Sequence, residues 1–121
     1  LASAVKKLAV QQHITEGRED RIVEIISHIR NDYKNVTLET LSETFHLSKP
    51  YLSKYIKEKA GMTFQEAVKK ERMKKARTLL KETDQTVETI AAEVGYENVE
   101  HFNRLFRKSY GMTPVQYRKQ G

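Results

Sequence analysis

Two stretches fifty residues apart decide the fold: Tyr51-Leu-Ser-Lys-Tyr-Ile-Lys57 and His101-Phe-Asn-Arg-Leu-Phe-Arg107. Each carries large apolar or aromatic residues at its second, fifth and sixth places, Leu52, Tyr55 and Ile56 in one and Phe102, Leu105 and Phe106 in the other. That spacing collects them on one face of a helix. The likeness continues in both directions. Upstream, Thr37-Leu-Glu-Thr-Leu41 returns as Thr86-Val-Glu-Thr-Ile90, at an offset of 49. Downstream, Gly61-Met-Thr63 returns unchanged as Gly111-Met-Thr113, at an offset of 50. One extra residue therefore sits in the second copy near Gly95-Tyr96-Glu97, in a turn, where insertions are tolerated. The chain contains an internal repeat of a supersecondary unit.

Each copy divides at its capping residues. A first helix begins after Thr37 or Thr86, with Glu39 or Glu88 in its first turn to oppose the helix dipole. Its inward positions are Leu38, Leu41 and Phe45, or Val87, Ile90, Ala91 and Val94. A tight turn follows, carrying His46 in one copy and Gly95 in the other; glycine suits the positive φ of such corners and histidine tolerates it less well. The second helix starts after Ser48 or Asn98 and ends at Gly61 or Gly111. Thr63 with Glu66, and Thr113 with Gln116, form capping boxes for the next helix, where Pro114 takes the first position. Two short helices joined by a turn of about three residues are a helix-turn-helix. Outside the copies, Ile22, Ile25, Ile26 and Ile29 stripe a helix that runs to about Tyr33. Residues 63–83 read as one linker helix with Phe64, Ala67, Val68, Ala76, Leu79 and Leu80 inward and a Lys/Arg face outward. No alternating strand pattern appears, so the expected fold is all-α with two helix-turn-helix subdomains, 37–60 and 86–110, on a long linker helix.

The 121 residues fit one domain of modest core, with no cysteine for disulfides, thiolate chemistry or cysteine-held metal. No apolar run is long enough for a bilayer span or a signal peptide, so no membrane partner and a cytoplasmic location are expected. Histidines at 13, 28, 46 and 101 have no metal-ligand spacing, and the glycines build no phosphate loop; neither an enzyme nor a cofactor is expected. Net charge is +6, unevenly placed. Residues 49–81 hold eleven bases against three acids, 82–100 hold six acids and no base, and 101–121 hold five bases and no acid. Two basic blocks flanking an acidic one suit a binder that touches a polyanion twice, although charge alone is equally consistent with solvated helix faces.

Stepping 100° per residue separates the two readings. With Leu52 inward, Pro50, Ser53, Lys54 and Lys57 point outward beside Lys49; with Phe102 inward, Glu100, Asn103, Arg104 and Arg107 do. Lys54 and Arg104 correspond and suit guanine acceptors or phosphate, Asn103 suits adenine, Glu100 a cytosine amino group, and Lys57 and Arg107 phosphate. The linker of some 21 residues spans roughly 30 Å, near the ~34 Å of one DNA turn, so a monomer could place both helices in successive major grooves. The competing reading is a helical protein–protein module with non-specific polyanion affinity; where its basic faces are merely solvated, the steep salt dependence of phosphate contacts is missing. Single-stranded RNA would call for aromatic platforms, whereas Tyr33, Tyr51, Tyr110 and Tyr117 are scattered.

The same residues resemble the AraC/XylS transcription regulators over about 20–119. The likeness lies in Leu52-Ser-Lys-Tyr-Ile-Lys57, Gly61-Met-Thr-Phe64, and Arg72 with Ala76 and Leu79-Leu80. It continues in Ile90-Ala-Ala-Glu-Val-Gly-Tyr96, Phe102-Asn-Arg-Leu-Phe106, and Gly111-Met-Thr-Pro114 with Tyr117-Arg118. The resemblance implies about seven helices, double-stranded DNA as partner, and activation or repression of transcription, often beside RNA polymerase. By position it implies base contacts from Lys49, Pro50, Ser53 and Lys54, and from Val99, Glu100, Asn103 and Arg104. Pro50 and Val99 have no side-chain donor, which leaves shape or a thymine methyl to read there, and acidic Glu100 sets the second surface apart. It further implies that 20–121 is the DNA-binding domain and 1–19 a linker or the end of an upstream sensor or receiver domain, through which a homodimer could form. The stripe of Leu1, Val5 and Leu8 fits a helix packed on its own domain better than a dimer contact.

Overall fold

The computed structural model describes residues 16–120, and among them lie seven α-helices and no strand. The helices are α1 (Glu16–Asn31), α2 (Leu38–Phe45), α3 (Lys49–Ala60), α4 (Phe64–Glu82), α5 (Val87–Glu93), α6 (Val99–Tyr110) and α7 (Pro114–Gln120). The stripe of Leu1, Val5 and Leu8 lies outside the described residues. Helix α1 starts at Glu16, four residues ahead of the expected boundary, and ends two short of Tyr33.

The caps act where the sequence puts them. Thr63 Oγ1 accepts from Glu66 N at 3.1 Å while Glu66 Oε1 accepts from Thr63 N at 2.8 Å. Thr113 and Gln116 repeat the exchange at 3.2 and 2.9 Å. Ser48 and Asn98 each accept from the backbone N–H three residues on, opening α3 and α6. Gly61 and Gly111 close those helices at φ 75° and 78°, where L side chains are disfavoured. At the corner between α2 and α3, His46 holds φ 58°, the one non-glycine residue with positive φ among those described; its counterpart Gly95 holds φ 102°. The expected corner is therefore present in both copies, and the first accepts the strain of a histidine in it.

Two apolar cores divide the fold. Ile25, Ile29, Leu41, Leu52 and Ile56 fill the first, closed by Phe64, Ala67 and Val68 from the start of α4. Ile90, Ala91, Val94, Phe102 and Phe106 fill the second, closed by Met73, Ala76, Leu79 and Leu80 from the rest of α4. Helix α4 is thus a wall of both cores, with the change of allegiance between Val68 and Met73. Met73, which the apolar pattern left unassigned, is as buried as its neighbours. Tyr33, from the loop after α1, packs against the second core rather than the first.

The copies consequently overlap. Helix α1 precedes the first helix-turn-helix as α4 precedes the second, and the start of α4 follows the first as α7 follows the second. One arginine marks the correspondence. Arg21 on α1 donates to the carbonyl of Phe45, at the first corner, and lies over its ring. Arg72 on α4 donates to the carbonyl of Gly95, at the second corner, at 3.4 Å and lies over Tyr96 at 5.0 Å. At the far end, Arg118 on α7 donates to Leu80 O and Thr83 O at 3.0 and 3.1 Å, taking up carbonyls that the end of α4 leaves open.

Candidate nucleic-acid interface

The second helix of each copy, α3 or α6, is held by its inward face and free on the other. At an offset of 50 the candidate residues pair as Lys49 with Val99, Pro50 with Glu100, Ser53 with Asn103, Lys54 with Arg104 and Lys57 with Arg107. On α3 all five are exposed: Lys49, Pro50, Ser53, Lys54 and Lys57. Lys49 Nζ stands 3.7 Å from Glu39 Oε2 at the start of α2, an exposed pair of small energetic weight. Of their five counterparts on α6, Glu100, Arg104 and Arg107 are exposed.

Asn103 and Val99 depart from expectation. Asn103 is half-buried, and its Oδ1 is enclosed without a hydrogen-bond partner; Val99 packs against the second core. Leu105, expected inward, is half-buried and packs against the second core. One widening of the buried arc accounts for Asn103 and Val99. With Phe102 at zero, Phe106, Val99 and Tyr110 fall at about 40°, 60° and 80°, and Asn103 at about 100°. All of the first three pack into the core, as does Leu105 on the other side, so the buried arc is widened as far as Asn103. On α3 the residues matching Val99 and Tyr110 are Lys49, which is exposed, and Ala60, which packs against the first core with a much smaller side chain, and Lys49 and Ser53 stay exposed. The first helix therefore offers a broader polar face than the second.

The ends of the helices differ in field as well. A helix N-terminus carries partial positive charge. Helix α3 has no acid in its first turn and begins with Lys49, whereas α6 has Glu100 there. The first face is thus strongly cationic, and the second has its cations, Arg104 and Arg107, set further along. Tyr51, which the sequence reading placed among scattered tyrosines, is 52% exposed on α3 and stacked on Tyr55 at 5.9 Å. It adds an aromatic surface beside the cationic face; its position one step before Leu52 was the available signal.

Not all of the positive charge is free. On α4, Arg77 lies over Tyr110 at 4.9 Å and Lys81 over Tyr117 at 4.6 Å, and Lys74 is 3.7 Å from Glu71. Among the described residues no group of three or more His, Asp or Glu is placed to hold a metal, and no helix is long and apolar enough to cross a membrane.

A family model described as a helix-turn-helix domain matches residues 41–120, spanning most of α2 through α7. The chain belongs to the AraC-type helix-turn-helix family. This AraC-type domain is 30% identical over 105 residues to the transcriptional activator RhaS of Enterobacter sp. strain 638, covering 86% of the chain and 38% of that relative. Among solved structures it superposes on the C-terminal domain of the response regulator yesN from Fusobacterium nucleatum with a TM-score of 0.71 and 39% identity, covering 84% of the chain and 98% of the other. The DNA-binding domain of AdpA, solved with a target DNA, shares the fold at a TM-score of 0.75 and 20% identity, over 82% of this chain and 90% of that one. The AraC-type domain spans well under half the length of the first curated relatives it matches, from 13% to 41%. Its family is one of DNA-binding transcription regulators and not of enzymes.

Proposed function

We propose that the domain binds duplex DNA in a sequence-dependent way by laying α3 and α6 in successive major grooves, as the DNA-reading part of a larger bacterial transcription regulator acting in the cytoplasm. One observation carries the reading: two amphipathic helices with cations at matching places, Lys54 and Arg104, stand at the two ends of one helix. The 19 residues of α4 measure about 28 Å, close to the ~34 Å from one major groove to the next on the same side of the duplex. Base contacts are assigned to Lys49, Pro50, Ser53 and Lys54 on α3, with Lys57 on phosphate. On α6, Arg104 and Glu100 take base edges and Arg107 phosphate; Asn103 reaches only with the edge of its amide, and Val99 contributes by shape. Dimerisation and contact with RNA polymerase are assigned to the regulator as a whole.

The test is selection of bound sequences from random duplex DNA at about 50 and 200 mM salt. Two short blocks about one helical turn apart support the proposal. Featureless enrichment that collapses at the higher salt would mean phosphate binding without readout. No binding at either salt would favour the protein-interaction module.

A further inference from the structure

We propose that Arg72 is a positioning residue that locks the two DNA-reading helices into one fixed relationship. It sits on α4 where the first core gives way to the second, between Val68 and Met73. Its Nε donates to Tyr33 O at 2.8 Å and its Nη2 to Lys34 O at 3.1 Å, both in the loop between α1 and α2. Its Nη1 donates to Gly95 O at 3.4 Å, in the corner just before α6, and its guanidinium covers the Tyr96 ring. A single planar fork therefore ties the first subdomain's loop to the second subdomain's corner. The fork has five donors in fixed directions and cannot lose its charge, which suits it to holding several carbonyls at once.

The comparison between copies isolates the added task. Among the described residues, Arg21 donates to the first corner, through Phe45 O, within its own subdomain. Arg72 grips the equivalent corner and also reaches back to Tyr33 and Lys34. Two further observations point to the same joint. Tyr33 packs against the second core although its loop belongs to the first subdomain. A Cβ on Gly95 would meet Arg72 Cζ at 3.0 Å and Nε at 3.2 Å, so the corner leaves room for the guanidinium and little else. Without the fork, α4 and the packing of the Tyr33 ring would be left to connect the subdomains, and α3 and α6 would be freer to rock about α4.

The consequence for DNA rests on the function proposed above; the consequence for geometry does not. The chain lacks cysteine, so Glu58→Cys on α3 and Lys108→Cys on α6, both exposed, accept a pair of spin labels without background. Pulsed electron resonance on the 121-residue chain is expected to give one narrow distance distribution, and Arg72→Met a broadened or displaced one at unchanged helicity. Arg72→Lys keeps charge and stem but not the fork, and is expected to broaden the distribution less; it also serves if the methionine variant does not fold. With DNA carrying both half-sites, adding five base pairs between them should weaken the parent by about a hundredfold and Arg72→Met by less than about tenfold, because a loose joint gains little from correct spacing. A narrow, unmoved distribution in a folded Arg72 variant overturns the proposal. So does the unfolding of both variants, which would make Arg72 a residue of the fold alone. If neither the parent nor the variant binds DNA, the functional proposal fails while the label distances still decide the role of Arg72.

Discussion

His46 and Gly95 occupy the same corner of the repeat under different constraints. His46 holds φ 58° with only backbone strain against it, about 1–2 kcal/mol for an L residue there. His46→Gly is therefore expected to raise stability by about 0.5–1 kcal/mol, the strain relieved being partly offset by glycine's greater chain entropy when unfolded. Gly95→Ala adds both a strained φ and a Cβ against Arg72, and should cost about 1–3 kcal/mol. Urea midpoints at constant slope measure both. On the outer faces, Arg104→Ala should weaken DNA binding by about 1–3 kcal/mol and relax one base position, whereas Arg107→Ala should weaken all sequences alike and flatten the salt dependence by about one phosphate. The same pattern from both variants would show that Arg104, too, touches only phosphate. Residue chemistry was legible where it is local. Caps, corners and terminal glycines are settled within three or four positions, and they appear as read. Arg72 was visible only as part of a motif, because its partners lie 23 to 39 residues away and are backbone carbonyls, which leave no mark on the side-chain sequence. The partial burial of Asn103 was not legible because a helical wheel gives an angle and not the width of the buried arc.

At the scale of elements, α4 is both spacer and shared wall. Five residues inserted after Lys69, between the two allegiances, would turn the second half by about 140° and move it about 7.5 Å, breaking the contacts of Tyr33 and Arg72 across the joint while leaving the rest of each core intact. The expected result is retained helicity with loss of the footprint over one half-site. A footprint of unchanged length and affinity would refute the role of α4 as a ruler. The length of this helix was clear from its caps, Thr63 at one end and Thr83 at the other. Its division was not, because the inward residues wander around the axis to meet two partners, and a single-face pattern fits neither half fully. Met73 went unassigned for that reason.

For the whole molecule, alkali is expected to act on the second core through its buried phenols. Burial raises the phenols of Tyr33, Tyr96 and Tyr110 above their usual range, with Glu93 adding to the rise at Tyr33, and all three pack against the second core. At Tyr96 and Tyr110 the neighbouring Arg72 and Arg77 pull the other way without reversing the direction. A raised pKa favours the protonated phenol in the folded state. Its contribution is complete below the unfolded value near 10 and is lost as pH climbs through the folded one. Amide exchange followed from pH 9 to 11.5, after correction for intrinsic rates, should show the second core losing protection as the pH climbs. Protection there that stays constant over this range would count against the titration of these phenols. The overall architecture was readable because repetition is a long-range signal carried by the sequence itself. How the two units sit against each other was not, since that geometry is fixed by one guanidinium and one tyrosine rather than by a pattern.

The overlap of the copies has a consequence for how the chain tolerates change. A unit of four helices used twice would need eight, and sharing α4 reduces the count to seven. The saving concentrates obligations, because α4 must fit one neighbourhood over its first turns and a different one over its last. Substitutions spread evenly along the chain should therefore be accepted least often in α4, relative to its length, and most often on the outward sides of α3 and α6. Those outward sides can drift to new operators while the frame that carries them stays fixed.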